Sequence, residues 1–142
     1  MDGSSPLHSV SVAGVITGEQ GRALLIRRRD TGRWEPPGGV LELDERIHDG
    51  LRREVREETG LEVKPVALTG VYKNMKRGII ALVFRCEATG GELTTNAEVT
   101  EFRWATPDEV RELVAEAFAV RILDALKAGD VAIREHDGVK LA

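Results

Sequence analysis

A single cysteine, Cys86, stands in the 142-residue sequence. One thiol excludes an intramolecular disulfide framework and fits a reducing compartment. It ends the apolar run 81–86, so it is read as buried and inert rather than reactive. Long apolar runs are missing too: none approaches the roughly 18 residues that a membrane span requires. The start, residues 1–6, is polar and lacks the apolar core of a signal peptide. A soluble, cytoplasmic protein is therefore expected. The three histidines, His8, His48 and His136, share no metal-ligand spacing and receive no role. No repeat, low-complexity stretch or linker composition is present. The net charge of −4 argues against a nucleic-acid coat, and neither a stable nucleic-acid complex nor a membrane association is expected. An anionic substrate stays allowed, because a bound cation reverses the local sign.

What is present suits one domain over residues 1–142. Residues 1–6 are expected to be a flexible lead-in. β-Branched and small residues over 8–16, the turn Gly18-Glu19-Gln20-Gly21, and the apolar run 23–26 predict a hairpin. Asp30-Thr31-Gly32 ends it, and residues 34–39 (WEPPGG) read as a stiff, then permissive, connector. A helix is predicted from near Arg46 to Thr59, with Gly60 as its C-terminal cap. Strands are predicted over 61–72 and 78–88, joined by the basic loop 73–77, and over 99–104. Thr106-Pro107-Asp108-Glu109 has the composition of a helix start, and that helix is expected to run to about Lys127. The tail 131–142 is expected to form a hairpin around Asp137-Gly138. Strands, helix, strands, helix imply an α/β fold with a mixed sheet between helices.

The informative stretch is the predicted helix. At about 100° per residue, Ile47, Leu51 and Val55 form an apolar stripe that must face a core. Glu54 and Glu58 fall within or beside it and Glu57 on its edge, so three carboxylates lean toward the packed side. Asp49, Arg52, Arg53 and Arg56 lie on the other side. Like charges so placed are costly unless neutralised. Arg52 and Arg56 point away, which leaves Arg53 or a hard divalent cation, and Mg²⁺ prefers such oxygens. Helix geometry alone does not separate this from an acidic amphipathic helix laced with Glu–Arg pairs.

The spacing separates them. Gly39, Glu45, Arg53-Glu54-Val55, Glu57-Glu58 and Gly60-Leu61 resemble the Nudix box, residues 39–61, with no departure at its defining positions. At a background of about 7% per position, a chance match of seven is on the order of 10⁻⁸. The order of strands and helices also resembles the Nudix α/β/α sandwich.

The resemblance implies hydrolysis, with Mg²⁺ or Mn²⁺, of a pyrophosphate bond in a nucleoside diphosphate linked to another group. ADP-ribose, nucleotide sugars, dinucleoside polyphosphates and nucleoside triphosphates all stay open. Glu54, Glu57 and Glu58 are implied as metal ligands, Glu57 among the catalytic residues, with the carbonyl of Gly38 as a further ligand. Arg53 and Glu45 are implied to pair with the glutamates and hold loop and helix in register. Two positions depart from the commonest pattern. Leu43-Asp44 replaces Pro-Gly, where Asp is expected to accept a left-handed backbone, and Gly50 replaces alanine at a cost of about 1 kcal/mol to the helix. A further acidic residue, a ligand or general base, is sought outside the box. Glu98, in a loop, is preferred over Glu101, within a strand.

Strand alternation sends Arg28 away from Arg27 and Arg29. Arg28 and Arg33 are the candidates for substrate phosphates, because guanidinium forks match phosphate oxygens. Lys73, Lys76 and Arg77 read more readily as a solubilising hairpin tip than as a substrate rim, and Trp34 as a loop anchor rather than a base platform. Two other functions compete: a non-catalytic nucleotide-metabolite sensor, opposed by the intact glutamates, and an isomerase on the same fold. A homodimer, common in the family's ADP-ribose branch, is left open.

Overall fold

The computed structural model describes residues 5–142, so Met1 to Ser4 of the expected lead-in lie outside it. Eight strands and three helices follow in chain order, with a short 3₁₀ turn at Glu19–Gly21. The strands are β1 (Ser9–Ile16), β2 (Ala23–Arg28), β3 (Trp34–Glu35), β4 (Gly38–Val40), β5 (Leu61–Asn74), β6 (Ile79–Gly91), β7 (Val99–Ala105) and β8 (Ala132–His136). The helices are α1 (Ile47–Thr59), α2 (Pro107–Leu113) and α3 (Glu116–Leu126).

The strands divide into a mixed five-stranded sheet, β4-β1-β6-β5-β8, and a three-stranded sheet, β3-β2-β7. β1 explains the arrangement. Its alternation sends Val12 and Ile16 into the cluster with Leu51 and Val55 of α1, while Ala13 and Val15 join Ile122 and Ala125 of α3. Both faces are apolar, so the strand must lie inside a sheet covered on both sides. It runs parallel to β6 and antiparallel to β4. The result is the expected α/β/α sandwich. Among the described residues no helix is long and apolar enough to cross a membrane.

The expected hairpin over 8–26 does not form as one unit. β2 pairs with β3 and β7 in the second sheet, and only the bridge Thr17–Ala23 links the two runs. Gln20, at φ 59°, is the only non-glycine residue with positive φ among the described residues and swings the chain across. The run 23–26 is buried throughout, so it too needs cover on both faces.

The second predicted helix also differs. It is two helices, because Val114 and Ala115 take extended backbone. No Gly or Pro marks that break. The tail supplies it: the N–H of Ala117 donates to the carbonyl of Val139, and Glu116 accepts from the N–H of Leu141. The tail's main partner is likewise tertiary. β8 pairs in parallel with β5, while a local turn at Asp137 adds only the bridge His136–Leu141.

α1 starts one residue after Arg46 and ends on Gly60 at φ 83°, where a Cβ would strike the carbonyl of Glu92. Ile47 of the predicted stripe is 44% exposed at the helix start, and the buried face is Gly50, Leu51, Val55, Glu58 and Thr59. Gly50 is packed rather than merely tolerated: a Cβ there would sit 2.5 Å from Leu41 Cδ1 and 2.8 Å from Glu45 Oε1. Asp44 does not take up the left-handed backbone expected of it, so the loop needs no glycine there. Cys86 is fully buried, as expected, and burial pushes its thiol up to about 12.

Thr106 caps α2 as its sequence implies, accepting from the N–H of Glu109 while Glu109 accepts from the N–H of Thr106. Thr106→Ala should cost about 1 kcal/mol of stability, measured by urea unfolding; an unchanged midpoint would remove the cap from the account.

Candidate active site

α1 carries the site, and Arg53 organises it. Its Nε donates to Glu45 Oε2 at 2.9 Å and its Nη2 to Glu45 Oε1 at 2.7 Å. Its Nη1 donates to Glu54 at 3.0 Å and Glu57 at 3.2 Å, and Nη2 reaches the carbonyl of Val40 at 3.2 Å. One guanidinium thus ties the loop before the helix to two of the three predicted ligands. The pairing holds the Glu45 carboxyl down at about 2 and raises the Arg53 guanidinium further. Arg52 and Arg56 pair elsewhere, with Asp49 and Glu62, as helix geometry requires.

The three glutamates differ in burial more than the stripe implied. Glu58 is 3% exposed and accepts the N–H of Gly38 at 2.7 Å. Glu54 is half-buried against Gly39, where a Cβ would lie 2.6 Å from its carboxyl. Only glycine permits that approach of strand to carboxylate. Glu57, by contrast, has a side chain 57% exposed. It sits about 120° round the helix from the stripe's centre, so it does not lean toward the packed side as expected. Burial raises the Glu54 carboxyl above its ordinary value, against the pull of Arg53. Glu58 rises to about 8, through burial and the neighbouring charges of Glu54, Glu98 and Glu35, against the Gly38 N–H.

As the side chains stand, no three His, Cys, Asp or Glu groups among the described residues converge to hold an ion. Arg53 draws Glu54 and Glu57 to itself, and Gly38 engages Glu58.

Glu98 and Glu101 part company. Glu101 pairs with Arg27 at 3.2 Å, while Glu98 is exposed and lies near enough that its charge raises both Glu54 and Glu58. The residue that holds it there was missed in the sequence. Asn96 donates to the carbonyl of Glu58 at 2.9 Å, and its Oδ1 accepts the N–H groups of Glu98 and Val99. An Asn in the turn before a strand is the signal that was there to read.

Beside the glutamates, past Gly38 and Gly39, lies a cleft of about 530 Å³. Arg28 and Arg33 line it, as do Lys76 and Arg77, which had read as a hairpin tip. Arg28 is engaged by Asp30 at 2.8 Å and by Glu35 at 3.2 Å. Lys73 lies within β5 rather than in the loop. Trp34 packs on the core under the Arg27 guanidinium, 5.8 Å from its ring centre, as an anchor.

The family described as NUDIX domain matches residues 7–126. A MutT-like protein of Streptomyces ambofaciens is 59% identical over 138 residues, covering 97% of this chain and 90% of that protein. An ADP-ribose pyrophosphatase of Methanocaldococcus jannaschii is 35% identical over 100 residues, covering 66% of this chain and 59% of that protein. The crystal structure of an ADP-ribose pyrophosphatase from Streptococcus suis superposes with a TM-score of 0.77 over 92% of this chain and all of the other. At 22% identity that likeness concerns the fold.

A carboxyl raised by folding binds a proton more tightly folded than unfolded. Without metal, stability should therefore fall as the pH rises from about 4.5, the ordinary value, toward about 8, the value for Glu58. Glu58→Gln, which stays neutral, should flatten that slope in urea unfolding at pH 5 and pH 8. Equal slopes would contradict the buried carboxyl.

Proposed function

Since the chain belongs to the Nudix family and is a pyrophosphohydrolase of it, we propose that it acts, with Mg²⁺ or Mn²⁺, on a nucleoside diphosphate linked to another group. The observation that carries this reading is the junction of α1 and β4. There the Glu58–Gly38 hydrogen bond of 2.7 Å and the close seat of Glu54 on Gly39 join two box glutamates to the two glycines that line the 530 Å³ cleft.

The donor set fits a hard divalent ion. Glu54 is raised by burial and by the charges of Glu57 and Glu98, and Glu58 by burial and by those of Glu54, Glu98 and Glu35, a repulsion that a cation relieves. Glu54, Glu57 and Glu58, with the carbonyl of Gly38, would hold it. Such an ion supplies charge neutralisation for the phosphates and acidifies water bound to it. Arg53 keeps Glu54 and Glu57 on one side of the helix and, through Glu45, fixes the loop beside them.

Glu98 has no ion pair among the described residues and is held by Asn96 beside the glutamates. It is the group assigned to take a proton from the attacking water. The water oxygen bonds to phosphorus, the bridging P–O bond breaks, and the leaving phosphate departs with that electron pair. Arg28 and Arg33, on the cleft wall, are assigned to the substrate's phosphate oxygens.

Glu57→Gln should lower Mg²⁺-dependent hydrolysis by about 10² or more with the fold unchanged, because Glu57 is exposed and, among the described residues, paired only with Arg53. The check is phosphate release after phosphatase coupling, with circular dichroism for the fold. Undiminished turnover would sink the ligand assignment.

A further inference from the structure

Arg121, on α3, lines the same cleft at only 8% exposure. Among the described residues, its Nε is the one buried side-chain nitrogen or oxygen without a hydrogen-bond partner. Buried donors of this kind require an explanation. Among the described residues no carboxylate pairs with the guanidinium; it lies instead over two rings, 4.6 Å from the centre of Phe118 and 5.3 Å from that of Tyr72.

Its nearest polar contact makes matters worse. Nη2 lies 3.1 Å from His136 Nε2, while His136 Nδ1 faces the N–H of Gly138 at 3.0 Å. Burial and the Arg121 charge lower that imidazole and favour its neutral form, which has one lone pair for two donors. Whichever donor takes it, the other is left over. Burial pulls the guanidinium down to about 10.

The surroundings have the same imbalance. Asp30 and Glu35 of the cleft wall are taken up by Arg28, and the Asp137 carboxylate accepts the N–H groups of Val139 and Lys140. Arg33 and Arg77 form no ion pair among the described residues, although most arginines here do. In a chain of net charge −4, three arginines without an ion pair among the described residues, Arg33, Arg77 and Arg121, line one cleft that opens on Gly38 and Gly39.

We propose that Arg121, with Arg33 and Arg77, forms a subsite for a phosphoryl group additional to the two that flank the broken bond. The inference rests on the hydrolase reading above and narrows it. The substrate is a nucleoside triphosphate or dinucleoside polyphosphate, not a nucleoside diphosphate joined to an uncharged sugar. Both phosphates of the latter are spent at the glutamates, and nothing anionic would reach Arg121. A phosphoryl group brings several acceptors at once, which is what Nε and Nη2 lack.

The test has a kinetic and a binding arm. With Mg²⁺, kcat/KM for ATP, GTP and diadenosine tetraphosphate should exceed that for ADP-ribose and UDP-glucose by about tenfold or more. Arg77→Gln, at an exposed position, should lose about that factor on the polyphosphates through KM and leave ADP-ribose unchanged. In calorimetry on metal-stripped protein, inorganic tripolyphosphate should bind about tenfold more weakly to Arg121→Gln, with Arg121→Lys between and Arg22→Gln, outside the cleft, like the parent. Arg77→Gln repeats this test should Arg121→Gln fail to fold. Preference for ADP-ribose, or tripolyphosphate binding indifferent to these substitutions, would overturn the subsite. If no pyrophosphate substrate is hydrolysed yet tripolyphosphate binding follows the variants, the subsite stands and the hydrolase reading falls.

Discussion

Crowded carboxylates on one helix are the constraint around which this molecule is arranged. Glu54, Glu57 and Glu58 lie within about one turn of α1, and Glu45 and Glu98 approach from the flanking loops. Such a cluster is unfavourable when partly removed from water. Arg53 answers most of it, dividing its guanidinium among Glu45, Glu54, Glu57 and the carbonyl of Val40. Gly38 answers the rest by donating its N–H to Glu58. β4 is positioned by that bond, and with it the edge of the five-stranded sheet. The rigid platform behind, Leu51 and Val55 against Val12, Ile16 and Cys86, keeps the carboxylates from spreading apart.

The cleft poses the opposite electrostatic problem on the other side of Gly38 and Gly39. There the cations exceed the carboxylates free to meet them, and the least satisfied of all is the most buried. Two sites of opposite sign therefore meet at two glycines, where the absence of side chains lets strand, helix and cleft come within contact distance. A substrate carrying several negative charges, met by a cation on one side and guanidinium groups on the other, is complementary to both halves.

Legibility in the sequence followed the range of the interactions. The helix 47–59, its glycine cap, the capping box at Thr106 and the pairing of Arg53 rather than Arg52 or Arg56 with the glutamates all depend on residues within one or two turns, and each was readable. Glu98 was separable from Glu101 because alternation places one in the loop and the other in the strand. Its tether, Asn96, acts across 38 residues to the Glu58 carbonyl and was not seen. Glu57 was placed too near the packed face, although the helical projection itself sets it about 120° from the centre of the apolar stripe.

The sequence by itself determined the family, the metal-binding chemistry to be tested and the α/β/α layering, because spacing along one helix and the period of apolar residues are local quantities. Only the tertiary structure decided that β1 and β2 belong to different sheets, that the second helix breaks at Val114–Ala115, and that Arg121 faces the cleft beside His136. Those outcomes arise where distant segments compete for the same apolar face or the same hydrogen-bond acceptor. The tail supplies Val139 to α3 and β8 to β5, and no pattern within either helix or strand encodes which remote partner will arrive.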